Sequence, residues 1–150
     1  MGLKLAADCM VGRLTKWMRF LGFDTVFLPD GPWPPTADRT LLTRRTDQPH
    51  QRRIYGWDRV VTLTANDVPG QLDETVRALG LTRSDFQPMT RCGVCNLSLQ
   101  TAEPRTVIDR APLYVRIMQT NFLNCPGCGR VYWPGTHHER MMAVIDRLIP

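Results

Sequence analysis

The chain predicts an α/β fold, a parallel sheet with flanking helices, followed by a small cysteine-stapled unit and a terminal helix. Three observations carry that expectation. Short apolar runs at residues 3–7, 25–28, 40–43 and 59–64 alternate with segments of helical period, the sequence habit of a parallel sheet. Two Cys-x-x-Cys pairs, Cys92/Cys95 and Cys125/Cys128, punctuate the second part of the chain. Residues 138–149 then return to helical spacing, with Met141, Ile145 and Leu148 on one face. A change of character near Pro88 divides the 150 residues into an α/β unit at 1–88 and a ribbon with its terminal helix at 89–150.

The first run, LKLAA, stops at Asp8. Residues 11–21 switch period: Val11, Leu14, Trp17, Met18 and Leu21 form a core stripe, while Arg13, Lys16 and Arg19 lie on the opposite side. Gly22 supplies the stop. The run TVFL at 25–28 is β-branched and aromatic and ends in Pro29–Asp30. Asp24, just ahead of it, reads as its cap, and Asp58 as that of the fourth run. At 31–36, Pro32, Pro34 and Pro35 remove backbone donors and fix φ, so a loop replaces the crossover helix expected between the second and third strands. TLLT at 40–43 leads into a basic stretch containing Arg44, Arg45 and Asp47, and the fourth run leads to Asn66–Asp67. Residues 70–79 read as a helix closed by Gly80. Beyond it, RTVI at 105–108 and LYVRI at 113–117 read as strands of ribbon hairpins.

A Cys-x-x-Cys turn directs both sulfurs at one point. Two such turns supply the four soft ligands of a closed tetrahedral zinc site: Cys92, Cys95, Cys125 and Cys128. Gly93, Gly127 and Gly129 allow the tight turns around the ion. Two disulfides would use the same cysteines but need an oxidising compartment. The N-terminus, MGLKLAADCM, has no long apolar run and no small-residue cleavage site. No stretch reaches the ~20 apolar residues of a membrane span. The expectation is a reducing cytoplasm and a structural zinc ion, which leaves no open position for a substrate. The net charge of +5 is carried mostly by arginine, with Lys4 and Lys16 as the lysines. Such a charge suits forked contacts to phosphate and a nucleic-acid partner, and it equally serves solubility.

The residues able to carry chemistry are acids at strand ends. Asp8, Asp30 and Asp67 follow the first, second and fourth runs, and Asp47 lies four residues beyond the third. In an open parallel sheet the carboxyl ends of the strands converge on one crevice. Converging carboxylates repel unless a cation neutralises them. Magnesium or manganese prefers such oxygen ligands and can orient water against phosphate. Aspartate is also the ordinary turn and cap residue after a strand, so the same positions have a purely structural reading. Arg13, Lys16 and Arg19, on the helix that leaves Asp8, and Arg44 and Arg45 after the third run are the candidate phosphate contacts. His137–His138 read as an exposed loop pair, and Cys9 as a buried thiol.

The segments DCMVGRLTKWMRFLGFDT, LLTR, QLDETVRALGL, RCGVCN and CPGCGRVYWPGTH occur in this order. Together they resemble the Mut-seven C-terminal RNase family, a PIN-like nuclease fold that ends in a zinc ribbon, over nearly the whole chain. The resemblance implies a metal-dependent ribonuclease acting on RNA phosphodiesters, with Asp8 as its first metal-binding acid. It also implies acids on a helix after strand two, where this chain offers Asp30, and an acid directly after LLTR, where it has Arg45 with Asp47 two residues on. A cation inside a metal site opposes a second cation. Two functions follow from the resemblance. One is RNA hydrolysis with magnesium or manganese on Asp8 and Asp30, Asp47 or Asp67. The other is an RNA- or ribonucleoprotein-binding module that keeps the fold without the chemistry. A protein–protein adaptor using the ribbon surface around Tyr132 and Trp133 is a third.

Overall fold

The structure, a computed structural model, describes residues 2–29, 36, 38–46 and 57–150. Strands β1 (Lys4–Asp8), β2 (Asp24–Leu28), β3 (Thr40–Thr43) and β4 (Val60–Thr62) form one sheet in the order β2-β1-β3-β4. Every neighbouring pair is parallel. The proline-rich loop expected at 31–36 lies, apart from Thr36, outside the described residues, as do Asp30 and Asp47.

Alternation along the strands gives the sheet two apolar faces. Leu5, Ala7 and Leu42 enter the main core with Leu63, while Ala6 and Leu41 pack on the other face with Trp57. Helix α1 (Gly12–Phe20) buries Leu14 and Met18 against the first face, and Leu21 follows it into the core. Helix α2 (Val68–Leu79) adds Leu72 and Val76 and ends at Gly80, whose φ of 61° is the left-handed cap the sequence anticipated.

The last helix, α4 (Thr136–Leu148), packs back on the N-terminal core, where Met141 and Ile145 are 1% and 2% exposed. Arg147 donates to Asp73 of α2 at 2.9 and 3.1 Å, holding α4 against it. The first turn of α4 contains His137 and His138, so the expected loop pair is helical. His137 packs edge-on against Phe20 of α1, ring centroids 4.5 Å apart.

The ribbon differs from its expected layout. Residues 105–108 and 113–117, read as strands, form instead a 3-10 turn at Pro104–Thr106 and the helix α3 (Leu113–Met118). Pro112, with φ −57° and ψ 149°, is the extended N-cap residue from which α3 starts. Val115 is the buried residue of α3, so no alternating strand face is available to drive pairing. The ribbon sheet is built from β5 (Gln100–Ala102), β6 (Phe122–Asn124) and β7 (Val131–Tyr132), antiparallel in that order. Val107, Ala111, Val115 and Phe122 fill its own small core.

Candidate functional site

Strand register builds the crevice. Ala7 pairs with Leu42, so Asp8 and Thr43 stand level at the carboxyl edge of the sheet, and Thr43 pairs in turn with Thr62. Strand order places this edge where the chain reverses direction across the sheet, between β1 and β3, the usual ligand position of an open parallel fold. Asp8 and Thr43 are both 0% exposed. The Thr43 hydroxyl donates to Asp8 Oδ2, and the Met10 amide donates to Oδ1 at 3.0 Å. The Arg45 amide donates to the Thr43 hydroxyl at 3.0 Å, and Arg45 Nε lies 3.7 Å from Asp8 Oδ2. A carboxylate without solvent contact is costly unless paired. Here one hydroxyl, one amide and one guanidinium meet that need.

The other predicted acids divide. Asp67 is exposed and caps α2, accepting from the Gly70 amide at 2.7 Å. It lines a crevice of about 850 Å³ that also takes in Cys9, Met10, Arg13, Asn66 and Gln71. Cys9, expected to be buried, is exposed there. Arg44 donates to Asn66 Oδ1, and Asn66 lines the same crevice. Glu74 stands nearby, but Thr64 and Ala65 engage its carboxylate, which braces the loop from β4 to α2. Asp24, read as a strand cap, accepts a forked pair from Arg39 at 2.8 and 3.1 Å. Burial works against the Asp24 carboxylate, but hydrogen bonds from Arg39 and Asn96 outweigh it and hold its pKa below the ordinary 3.8.

The three cations of α1 have separate fates. Arg13 lines the crevice. Arg19 turns into the molecule: Nε donates to Thr25 O at 2.8 Å, and Nη1 donates to Gly93 O and Val94 O at 3.2 and 2.9 Å. It thereby ties the first knuckle to α1 and β2. Lys16, one turn beyond Arg13, lies 5.6 Å from the centroid of the Phe20 ring and lines a different groove, beside the ribbon.

Four sulfurs, of Cys92, Cys95, Cys125 and Cys128, lie within 4.8 Å of one another. Cys92 and Cys128 are 3.7 Å apart at Sγ. Zinc–sulfur bonds of ~2.3 Å in a tetrahedron require sulfurs about 3.8 Å apart, so the donor set and its size fit zinc. The two knuckles repeat one backbone design. In each, the amide that follows the second cysteine returns to the carbonyl of the first, Asn96 N to Cys92 O and Gly129 N to Cys125 O, both at 3.0 Å. Those two residues have φ of 64° and 72°, a left-handed turn that asparagine and glycine accept best.

Tyr132 Oη lies 3.1 Å from Cys92 Sγ and accepts from the Gly93 amide at 3.3 Å. Burial opposes the Cys92 thiolate, but the Tyr132 hydroxyl and the Cys95 and Val94 amides outweigh it and lower its pKa to about 6. Cys95 is pushed up to about 12, first by its hydrogen bond with Cys128. Among the described residues no other group of three or more histidine, cysteine or acidic side chains is gathered closely enough to hold an ion. Asp8 is engaged on both carboxylate oxygens and Asp67 on one.

Fold and site together define a parallel α/β protein with a crevice at its strand ends, stapled by a tetrathiolate ribbon. Residues 3–145 match the family described as the Mut7-C RNAse domain, and the chain belongs to that family. No curated protein and no solved structure matches it. No helix among the described residues is long and apolar enough to cross a membrane.

Proposed function

We propose that this member of the Mut7-C RNAse domain family binds RNA at the carboxyl edge of its sheet, with Arg45 standing where a metal-dependent nuclease would hold a divalent ion. One observation carries the reading: Arg45 Nε is 3.7 Å from the buried Asp8 carboxylate. A guanidinium there neutralises Asp8 and opposes a second cation. Arg13 lines a crevice that the amino ends of α1 and α2 adjoin, Arg44 contacts Asn66 of its lining and Arg45 stands beside Asp8, so the three offer forked contacts to phosphate along this edge. Zinc on the four cysteines holds the ribbon, and four free thiols kept for metal suit a reducing cytoplasm.

Family membership favours a second reading, RNA hydrolysis with magnesium or manganese on Asp8 together with Asp30, Asp47 or Asp67. A labelled single-stranded RNA incubated with the zinc-loaded protein separates the two. The first reading expects binding without added magnesium or manganese, weakening as salt rises, and no shortening of the RNA in either ion. Manganese-dependent cleavage by the wild type that disappears in Asp8→Asn would establish the second reading and sink the first.

A further inference from the structure

Beyond the crevice, a groove of about 620 Å³ runs between α1 and the ribbon. Its walls carry three cations, Lys16, Arg110 and Arg130, and the rings of Phe20, Tyr132 and Trp133, with no acidic residue among those lining it. The cations are all exposed. Arg110 is held in place, since Nη1 donates to Gly129 O and Nη2 to Thr106 O at 3.2 Å. Tyr132 is oriented through its hydroxyl by Cys92 and Gly93. A second recess of about 270 Å³ shares Val131, Tyr132 and Trp133 with the groove and adds Tyr114 and His137.

We infer that this groove is a second RNA site, one that takes a single strand by stacking its bases on the ribbon's aromatic rings and pairing its phosphates with Lys16, Arg110 and Arg130. The inference rests on the reading that the protein binds RNA. Its occupant follows from the wall chemistry. Aromatic faces recognise bases only when those bases are unstacked, and a duplex hides them. Cations without acids between them attract a phosphate backbone. Four thiolates around a dication leave a charge of about −2 at the ribbon, and the three groove cations more than offset it. Arg13 and Lys16 are one helical turn apart on α1, an axial step of ~4.5 Å, so one strand can follow α1 from one site to the other.

The test measures affinity for an oligouridine of about 12 nucleotides and for an RNA duplex, at several salt concentrations. Zinc content and thermal midpoint serve as checks that each variant is folded. Expected is tighter binding of the single strand. Lys16→Glu with Arg130→Glu should weaken it at least ~10-fold and lower the salt slope by about 1–2. Trp133→Leu should weaken binding by roughly 10-fold with the slope unchanged. Unchanged affinity in zinc-loaded groove variants, with loss in Arg44→Ala/Arg45→Ala, would overturn the groove and leave the crevice standing. Loss in the groove variants alone would keep the groove and remove the crevice. A preference for duplex, or no RNA binding by the wild type, would overturn the groove outright.

Discussion

Asp8 has no solvent contact, yet its carboxylate meets three partners from two stretches of chain, Met10 just after it and Thr43 and Arg45 at the end of β3. The Thr43 hydroxyl is the one whose removal is cleanest to read, because a valine keeps its shape. Thr43→Val should cost roughly 1–3 kcal/mol in urea unfolding, while Thr43→Ser should restore most of it. Equal stability of all three would show that Asp8 does not depend on that donor. Gly93 makes a second point at this scale. A Cβ there would come within 2.4 Å of the Phe20 ring, so Gly93→Ala should cost roughly 1–3 kcal/mol through overpacking between ribbon and α1. An unchanged unfolding midpoint would contradict the contact. The place of Asp8 at the end of the first strand and the gathering of the four cysteines were legible from residue type and spacing. Thr43 was not, because its partnership depends on strand register, and a threonine at the end of TLLT looks like any β-former. Arg19 was misleading for a related reason. Its place on the polar side of α1 suggested a phosphate contact, whereas its guanidinium is committed to three backbone carbonyls.

At the scale of elements, the strongly periodic segments were readable and the ribbon was not. Helices α1, α2 and α4 each show an apolar stripe long enough to reveal its period, and strands β1 to β3 are compact apolar runs. The ribbon strands have three, three and two residues, too short for alternation to develop in the sequence. Tyr132 links the four-cysteine cluster to β7. Tyr132→Phe should lower zinc affinity by roughly 10-fold or more, measured by competition with a chelator, since it removes the hydroxyl beside Cys92. Unaltered affinity would remove Tyr132 from the metal's support.

The packing of α4 on α1 has a pH signature. Burial against Phe20 and Trp17, and then the charges of Lys16 and Arg140, lower the His137 pKa from its ordinary 6.5. Between the two values the unfolded chain binds the proton and the folded chain does not. This contribution to stability is whole above pH 6.5 and declines as pH falls below it. His137→Gln should flatten that decline in unfolding curves; a parallel curve for the variant would refute the account.

For the whole molecule, the sheet and the ribbon are knit at the first cysteine knuckle. Asn96 of the first knuckle donates to Asp24 at 2.7 Å and accepts from the Thr25 amide at 3.0 Å, while Arg19 holds Gly93 and Val94. Removing zinc should therefore lower the unfolding midpoint of the α/β sheet as well as of the ribbon, seen as one transition rather than two by probes in each unit. A ribbon that melts alone, with the sheet unaffected, would show that these contacts transmit nothing. This coupling was not readable in the sequence, where the change of character near Pro88 suggested a simple succession of units. The contacts that cross it come from single polar residues with no periodic signature.

The return of α4 also sets an order of events during synthesis. Met141 and Ile145 fill the same core as Leu5 and Leu14, yet they leave the ribosome after both cysteine pairs. The nascent sheet stays uncovered on that flank until residues 136–148 appear, and by then every thiol of the cluster is free to take its ion. Closure of that flank therefore waits for a segment made after all four cysteines, so a ribbon left without its ion would hold the sheet uncovered for longer.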